Sequence, residues 1–290
     1  MGLFDIFGRN DTVYFPGCIN YFKFKEGFEV YQEIFSKLGI RFRILEKQIS
    51  CGLEALEAGY DNEARKLARK NLDLFNELGV RRVVTTSPGC YKMFLKDYPN
   101  ILPDWNLIVV DLWELILERL RKKYYLIKNK KMEVVTYHDP CYLGRYCQVY
   151  DSPRKILELI GYEIKEMDNS RENSFCCGSC GGLPIVNPRL ADKIARERIL
   201  QAKRIGVKKM IVIGFDNYSL LKKNVGDMGI EILEFSEVLA HSLGIKEFEP
   251  VEERIEGEER ILLETKANIR LQEEFKEEDY YDDFKEDEWK

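Results

Sequence analysis

The densest group of reactive side chains lies between Glu172 and Gly182, in the stretch ENSFCCGSCGG. Cys176, Cys177 and Cys180 fall within five residues of one another there, and glycines surround them. Thiols at this spacing can form a disulfide, bind zinc, act as redox groups or ligate an iron–sulfur cluster. Other features of the sequence are needed to decide between these alternatives.

The cellular compartment bears on the disulfide alternative. The chain has 290 residues, of which 45% are hydrophobic, but no run of eighteen uninterrupted apolar residues. Its opening ten residues are too short and wrongly charged for a secretory signal. We therefore expect a cytoplasmic protein without a membrane span. Because the cytosol is reducing, we expect the eight cysteines of the chain to be metal ligands or redox groups rather than disulfides.

Alternating patterns indicate the elements that position these cysteines. Short apolar runs predict β-strands within residues 12–17, 81–87, 106–111, 132–137 and 208–214. Amphipathic patterns predict helices within residues 27–39, 61–79, 112–126, 152–161 and 187–206. This alternation predicts an α/β fold in which parallel strands are buried under helices.

The order of these signals repeats along the chain. Three pairs of landmarks recur at nearly the same offset: Cys18 and Cys141, Cys51 and Cys177, Val80 and Val207. A near-constant offset of this kind indicates an internal repeat. We predict two homologous Rossmann-like lobes with parallel sheets, residues 12–125 and 130–245, related by a pseudo-twofold axis.

Charge sets the last segment apart from the two lobes. Residues 247–290 hold 18 acidic and 7 basic side chains, whereas the remaining 246 residues hold 32 acidic and 38 basic ones. A strongly acidic, aliphatic-poor segment is typical of disordered chain. We predict a disordered acidic tail that either solubilises the protein or docks onto a basic partner through its aromatic residues.

The repeat divides the cysteines into two sets, each placed where a strand or loop ends and a helix begins. Lobe one offers Cys18, Cys51 and Cys90; lobe two offers Cys141, Cys176, Cys177 and Cys180. Cys147 is expected to be an ordinary helix thiol. Glycine turns let backbone N–H groups approach cluster sulfides, which favours an iron–sulfur cluster. Adjacent cysteines suit a tetrahedral zinc site less well, and zinc remains the alternative metal.

The second lobe carries a recognisable pattern. Its segments YHDPCYLGR, which begins at Tyr137, and EMDNSRENSFCCG, which begins at Glu166, resemble the cysteine-rich CCG domain of heterodisulfide reductases. FPGC, SCGLEALEAG and TTSPGCYKMFL in lobe one resemble another copy of that domain. The family includes heterodisulfide reductase B and D subunits and iron–sulfur subunits of glycolate and lactate oxidation complexes.

The resemblance implies a [4Fe-4S] cluster in lobe two, held by that lobe's four cysteines, and a possible second cluster in lobe one. It also implies action on a disulfide or thiol substrate. The chain departs from the family pattern at four positions, where Ser50, Ser87, Gly214 and Asn217 stand in place of cysteines. Cys180 is the candidate replacement for a lost ligand in lobe two.

Three further side chains near the lobe-two cysteines are candidates for supporting roles. His138 would be the acid if the site reduces a disulfide. Arg145 and Arg171 either stabilise cluster charge or attract an anionic substrate, unless they form ordinary surface ion pairs.

Absent motifs bear on partners. The chain has no C-x₂-C-x₂-C-x₃-C-P ferredoxin run and no G-x-G-x-x-G turn for a nicotinamide or flavin. We therefore expect electrons to come from other oxidoreductase subunits that carry ferredoxin-type clusters or flavin, and we expect no nucleic-acid partner. The favoured function is an iron–sulfur subunit of a cytoplasmic heterodisulfide-reductase-like complex. The alternatives are a non-catalytic scaffold subunit and a zinc or thiol redox protein.

Overall fold

A computed structural model describes residues 11–45, 49–246 and 248–251 of the protein. Strands and helices alternate through these ranges, as the sequence predicts. The strands within them are β1 (Thr12–Tyr14), β2 (Arg43–Ile44), β3 (Arg82–Val84), β4 (Ile108–Val109), β5 (Val134–His138), β6 (Glu163–Ile164), β7 (Lys209–Val212) and β8 (Glu231–Glu234).

The strands form two four-stranded sheets of the same topology. The first sheet has the order β2-β1-β3-β4 and the second the order β6-β5-β7-β8. Every pairing is parallel; Val13 faces Val83 in the first sheet, for example, and Tyr137 faces Ile211 in the second. The α/β class and the two parallel-sheet lobes are thereby confirmed. A shared strand order agrees with an internal repeat, and the pseudo-twofold axis stays a prediction.

Helices connect the strands within each lobe. They are α1 (Lys25–Leu38), α2 (Leu53–Glu57), α3 (Asp61–Glu77), α4 (Pro88–Lys92), α5 (Tyr98–Ile101), α6 (Leu112–Lys122), α7 (Asp151–Leu159), α8 (Leu183–Val186), α9 (Pro188–Arg204), α10 (Phe215–Asn224) and α11 (Phe235–Leu243). Short π-helical segments span Ile19–Lys23 and Met93–Asp97, and 3₁₀ turns span Tyr124–Leu126 and Arg171–Asn173.

The helix α1 illustrates why these segments fold as they do. Its apolar residues recur at helical spacing, so one face is buried: Val30, Tyr31, Ile34, Phe35 and Leu38. The helix ends at Gly39, which has a φ of 69° and donates its N–H to the Phe35 and Ser36 carbonyls. Glycine adopts this left-handed conformation without the steric cost that a Cβ would add.

The two lobes pack against each other through α1 and aromatic side chains. Helix α1 contacts α11 and α6 contacts α7. Phe24 stacks on Phe215 with ring centroids 4.7 Å apart, and Trp113 meets Phe235 edge-on at 5.0 Å. A Cβ at Gly27 would lie 2.3 Å from the Phe215 ring, so a larger residue there would disturb this contact. Buried apolar residues of both lobes accordingly form one continuous cluster.

Two further expectations concern the membrane and the acidic tail. Within residues 11–45, 49–246 and 248–251, no helix is long and apolar enough to cross a membrane. The predicted tail, residues 247–290, lies outside the described residues except for 248–251.

Candidate metal centre

The cysteines lie around the carboxyl ends of the parallel strands, which is where ligands bind in open α/β sheets. Cys18 follows β1, and Cys141 follows β5. Cys90 lies in α4 beyond β3, and Cys51 directly precedes Gly52, the N-cap of α2. The positions predicted from sequence are thus at the loop-to-helix junctions of both lobes.

Lobe one brings its three cysteines into a buried group. The Cys51 and Cys90 sulfurs are 3.3 Å apart. Gly17, immediately before Cys18, approaches so closely that a Cβ would lie 3.2 Å from the Cys90 sulfur. Burial raises the pKa of Cys18, and the hydrogen bond with Cys90 together with burial raises the pKa of Cys51. Without a bound cation, these two thiols stay protonated at neutral pH.

Ser50 and Ser87, which the resemblance to the family places at cysteine positions, lie beside this group. The Ser50 hydroxyl accepts from the Gly52 N–H at 3.2 Å, and the Ser87 hydroxyl accepts from the Cys90 N–H at 3.4 Å. Both serines are buried. Their hydroxyls therefore brace the backbone of the cysteine-bearing turns.

Lobe two gathers all four of its predicted cysteines. The Cys141 and Cys180 sulfurs are 3.3 Å apart, and the Gly178 N–H donates to the Cys176 sulfur at 3.3 Å. Hydrogen bonds from Cys141, Cys177 and Cys180 lower the pKa of Cys176 far below its usual range. In turn, the bond with Cys176 raises the pKa of Cys141 to about 11. Cys176 is thus the thiol of this group that loses its proton most readily.

Asn217 completes this group where the family pattern has a cysteine. Its Oδ1 accepts from the Cys177 thiol at 3.0 Å and from the Ser179 hydroxyl at 2.7 Å. Its amide nitrogen donates to the Ile213 carbonyl at 2.8 Å, which fixes the orientation of the amide. Asn217 therefore holds Cys177 through a hydrogen bond.

The two cysteine sets adjoin the same interface between the lobes. Cys141 and Cys180 pack against the lobe-one core that contains Cys51 and Cys90. Tyr142 belongs to this core as well.

A lobe-one carboxylate reaches across this interface. The Tyr142 hydroxyl donates to the Glu57 carboxylate at 2.6 Å, and the Gly181 N–H donates to the same carboxylate at 3.2 Å. Glu57 therefore ties α2 to the glycine turn next to Cys180. The sequence does not predict this contact, because neither the type nor the spacing of Glu57 marks it as a site residue.

His138 is buried behind the lobe-two cysteines. Its Nδ1 accepts from the Arg198 Nε at 3.0 Å. Burial and the nearby Arg198 lower the pKa of His138 to about 3, so the ring is neutral at pH 7 with its proton on Nε2. Its role as an acid, which requires prior protonation, stays a prediction.

The remaining residues that the sequence analysis considered, Arg145, Arg171 and Cys147, lie in different environments. The Arg145 guanidinium donates to the Ser174 carbonyl, two residues before Cys176. Arg171 instead forms an exposed pair with Asp151 at 2.8 Å. Burial raises the pKa of Cys147 to about 12, and its charged neighbours are lysines and aspartates.

The donor set decides which group these residues fit. Within the described part of the chain, no three His, Cys, Asp or Glu side chains are arranged around a single metal ion. The four lobe-two thiols are soft donors that suit iron–sulfur clusters. A backbone N–H aimed at a cysteine sulfur, as at Gly178, is the kind of hydrogen bond that tunes such clusters. The residues therefore fit a cluster bound by several cysteines.

Known proteins match this chain in both lobes. The family described as "CCG: Cysteine-rich domain" matches residues 12–95 and 135–214. A subunit of the "Dihydromethanophenazine:CoB--CoM heterodisulfide reductase" of Methanosarcina mazei is 33% identical over 201 residues, or 67% of this chain and 49% of that protein.

Two bacterial relatives are similar at the same level. The "Probable iron-sulfur-binding oxidoreductase FadF" of Bacillus subtilis is 33% identical over 174 residues, covering 59% of this chain and 24% of that protein. The "EtfAB:quinone oxidoreductase" of Syntrophomonas wolfei is 33% identical over 172 residues, covering 58% and 24%. The chain thus spans half or less of these relatives. With one family match in each lobe, together covering more than half of its residues, the chain belongs to the cysteine-rich (CCG) domain family.

Proposed function

We propose that the chain is an iron–sulfur subunit of a heterodisulfide-reductase-like oxidoreductase complex. One observation carries the proposal: Cys141, Cys176, Cys177 and Cys180 lie close enough together to form a single hydrogen-bonded group around the Cys176 sulfur. Structural thiols do not need such a group, because isolated buried cysteines pack as small apolar side chains.

In this proposal the four lobe-two cysteines hold a [4Fe-4S] cluster. When bound, the cluster supplies a site that accepts and releases single electrons. The Gly178 N–H, which donates to Cys176, stabilises negative charge on the ligand sulfur. Adjacent Cys176 and Cys177 would then ligate different irons of the cluster.

Lobe one offers Cys18, Cys51 and Cys90 for a second cluster. Three thiolates leave one coordination position to a hydroxyl, to water or to a substrate sulfur. Relatives named as heterodisulfide reductase subunits suggest a disulfide or thiol as the substrate class. The open position makes lobe one the better candidate for substrate contact.

The names of the relatives also support the choice of partners. The chain itself has no ferredoxin run and no dinucleotide-binding turn. Relatives of greater length include one named as a reductase subunit and one named as an EtfAB:quinone oxidoreductase. We infer partner subunits with ferredoxin-type clusters or flavin, and a cytoplasmic location.

Anaerobic purification followed by iron, acid-labile sulfide and zinc analysis tests the proposal. We expect iron and sulfide in equal amounts and broad absorption at about 400 nm. After reduction, we expect an electron paramagnetic resonance signal. Zinc without sulfide would favour the thiol and zinc alternative. No metal, even after anaerobic reconstitution with iron and sulfide, would favour the scaffold alternative.

A pair of variants assigns the cluster to lobe two. We expect Cys177→Ser to lose or convert the lobe-two cluster, since a hydroxyl is a poorer ligand for soft metals than a thiolate. Cys147→Ser is the matched control, because Cys147 lies outside both cysteine groups. Equal iron content and unchanged spectra in both variants would exclude Cys177 as a ligand.

A further inference from the structure

Arg198 is a buried cation whose hydrogen-bond acceptors are uncharged. It lies on α9 with no exposed surface. Its guanidinium donates to four such acceptors: His138 Nδ1 at 3.0 Å, the Asn169 carbonyl at 2.7 Å, Gln201 Oε1 at 2.7 Å and Ser174 Oγ at 3.3 Å. Within the described residues, it takes part in no ion pair.

The carboxylate that acts most strongly on Arg198 is already engaged. Asp139 forms a bidentate pair with Arg154, at 2.6 and 2.8 Å, and accepts from the Arg171 backbone N–H at 2.8 Å. The Arg198 guanidinium also reaches the segment that carries the CCG turn, residues 176–178, because its partner Ser174 lies two residues before Cys176. Burial lowers the pKa of Arg198 to about 10, so it remains charged at pH 7.

A buried charge of this kind destabilises a protein unless negative charge lies close by. Asp139 neutralises Arg154 first, and Glu166, the second partner of Arg154, is 37% exposed. A cluster held by the cysteines of the CCG turn would place negative charge near Arg198, whose guanidinium donates to Ser174 of the same segment. The folded chain therefore favours negative charge at this turn.

The equivalent position of lobe one carries no charge. Asn71 corresponds to Arg198 in the register that pairs Val80 with Val207, and it is equally buried, on α3. The glycine turns confirm this register: a Cβ at Gly52 would meet the Ala64 carbonyl, and one at Gly178 would meet the corresponding Ala191 carbonyl. The Asn71 amide donates to the Ser50 carbonyl at 2.9 Å. It braces the turn without adding charge.

We propose that Arg198 is the counter-charge of the lobe-two cysteine site and raises the reduction potential of that site. Reduction adds one electron, and thus one negative charge, to this site without making or breaking a bond. A fixed positive charge stabilises the reduced state more than the oxidised one. Arg198 is a positioning residue, and the inference rests on the proposed function.

The test is a redox titration of the full, cluster-loaded chain, with dithionite as reductant and electron paramagnetic resonance as readout. We expect Arg198→Gln, which keeps hydrogen-bonding capacity but removes the charge, to lower the reduction equilibrium constant at least tenfold. For one electron this corresponds to about 59 mV. Arg198→Lys, which keeps the charge, should stay within about threefold of the unmodified chain.

A matched control removes the same charge from the surface. Arg171→Gln breaks an exposed pair with Asp151 and leaves the backbone contact to Asp139 intact. We expect a shift of less than about threefold, because exposed charges are screened. If Arg171→Gln and Arg198→Gln shifted the reduction potential equally, the effect would come from the net charge of the chain. That result would overturn the inference.

Two outcomes separate this inference from the proposed function. Iron and sulfide bound by the unmodified chain, with a potential that Arg198→Gln leaves unchanged, would overturn only the role of Arg198. No iron in any form of the chain would overturn the proposed function itself. Should Arg198→Gln fail to fold, a tenfold shift in Arg198→Lys would still contradict a role through charge.

Discussion

Cys90 in lobe one and Asn217 in lobe two stand at the same place in their repeats, in the register that pairs Val80 with Val207. Each contacts the cysteine that precedes the turn glycine of its own lobe: Cys90 lies 3.3 Å from Cys51, and Asn217 lies 3.0 Å from Cys177. A thiol and an amide oxygen thus fill one structural position. What differs is whether that position can donate a soft ligand to iron.

The exchange at a second position runs in the opposite direction. Lobe one has Ser50 where lobe two has Cys176, and lobe two adds Cys180, which contacts Cys141. The lobes therefore carry their thiols at different points of one scaffold. Of the predicted ligands, lobe two has four and lobe one has three. Because the two lobes share their sheet order and glycine turns, we expect the number of thiols rather than the fold to determine what each lobe binds.

The largest expected effect of this difference is on iron content. We expect Cys176→Ala to remove most of the bound iron, because it breaks the four-cysteine set at the residue to which the other three cysteines hydrogen-bond. Cys90→Ala should leave most of the iron in place and should alter only an oxygen-labile fraction. The measurement is iron per chain after anaerobic purification. The reverse order would make lobe one the main cluster site.

The fold could be predicted where elements are long and their patterns regular. The five predicted helical ranges match α1, α3, α6, α7 and α9, and the five predicted strand ranges match β1, β3, β4, β5 and β7. The sequence did not reveal β2 and β6, which have only two residues each. Strand β8 was missed because Glu231 and Glu234 flank its apolar residues. Edge strand β4 is as short as β2 and β6, but it lies within an apolar run, residues 107–110, whereas β2 and β6 each consist of one charged and one apolar residue.

The site could be predicted in its candidate ligands but not in its supporting residues. The cysteines can be recognised in the sequence by their type and spacing. Glu57, in contrast, contacts Gly181 only because the two lobes pack together, which the sequence pattern does not show. Arg198 did leave a signal. It lies on the buried face of α9, among Ala191, Ala195, Ile199 and Ala202. A cation on an apolar helix face has to meet an acceptor or an anion, and that mismatch marks a site.

A smaller effect distinguishes the two glycine turns. Gly52 and Gly178 have φ values of 85° and 89°, a conformation that costs about 1–2 kcal/mol for other residues. A Cβ would lie 3.3 Å from the Ala64 carbonyl in lobe one but 2.8 Å from the Ala191 carbonyl in lobe two. We expect Gly52→Ala to lower the free energy of unfolding by about 1–2 kcal/mol. Gly178→Ala should add about 1–3 kcal/mol for the clash.

Urea unfolding of both variants measures this comparison. The closer contact in lobe two predicts the larger loss for Gly178→Ala. An equal loss would show that the α9 backbone moves away from the turn as easily as the α3 backbone does. A larger loss for Gly52→Ala would contradict the stated order of the two contacts.

The smallest expected effect concerns the helix that follows the last strand of each lobe. Asp111 caps α6 in lobe one, and Glu234 caps α11 in lobe two, where Glu237 completes a capping box by accepting from the Glu234 N–H at 2.6 Å. Burial raises the pKa of Glu237 to about 8, and the adjacent Glu234 carboxylate adds to the rise. Glu237 therefore binds a proton more tightly in the folded chain than in the unfolded one.

The sign of the pH dependence follows from that difference. The stability contributed by protonated Glu237 is fully present below its unfolded pKa of 4.5 and is lost as the pH rises through about 8. We expect the free energy of unfolding to fall between pH 5 and pH 9, with a share on the order of 1 kcal/mol due to this group. Glu237→Gln, which cannot ionise, should flatten the profile by that amount. Parallel profiles for the two proteins would show that Glu237 is ionised in the folded chain throughout this range.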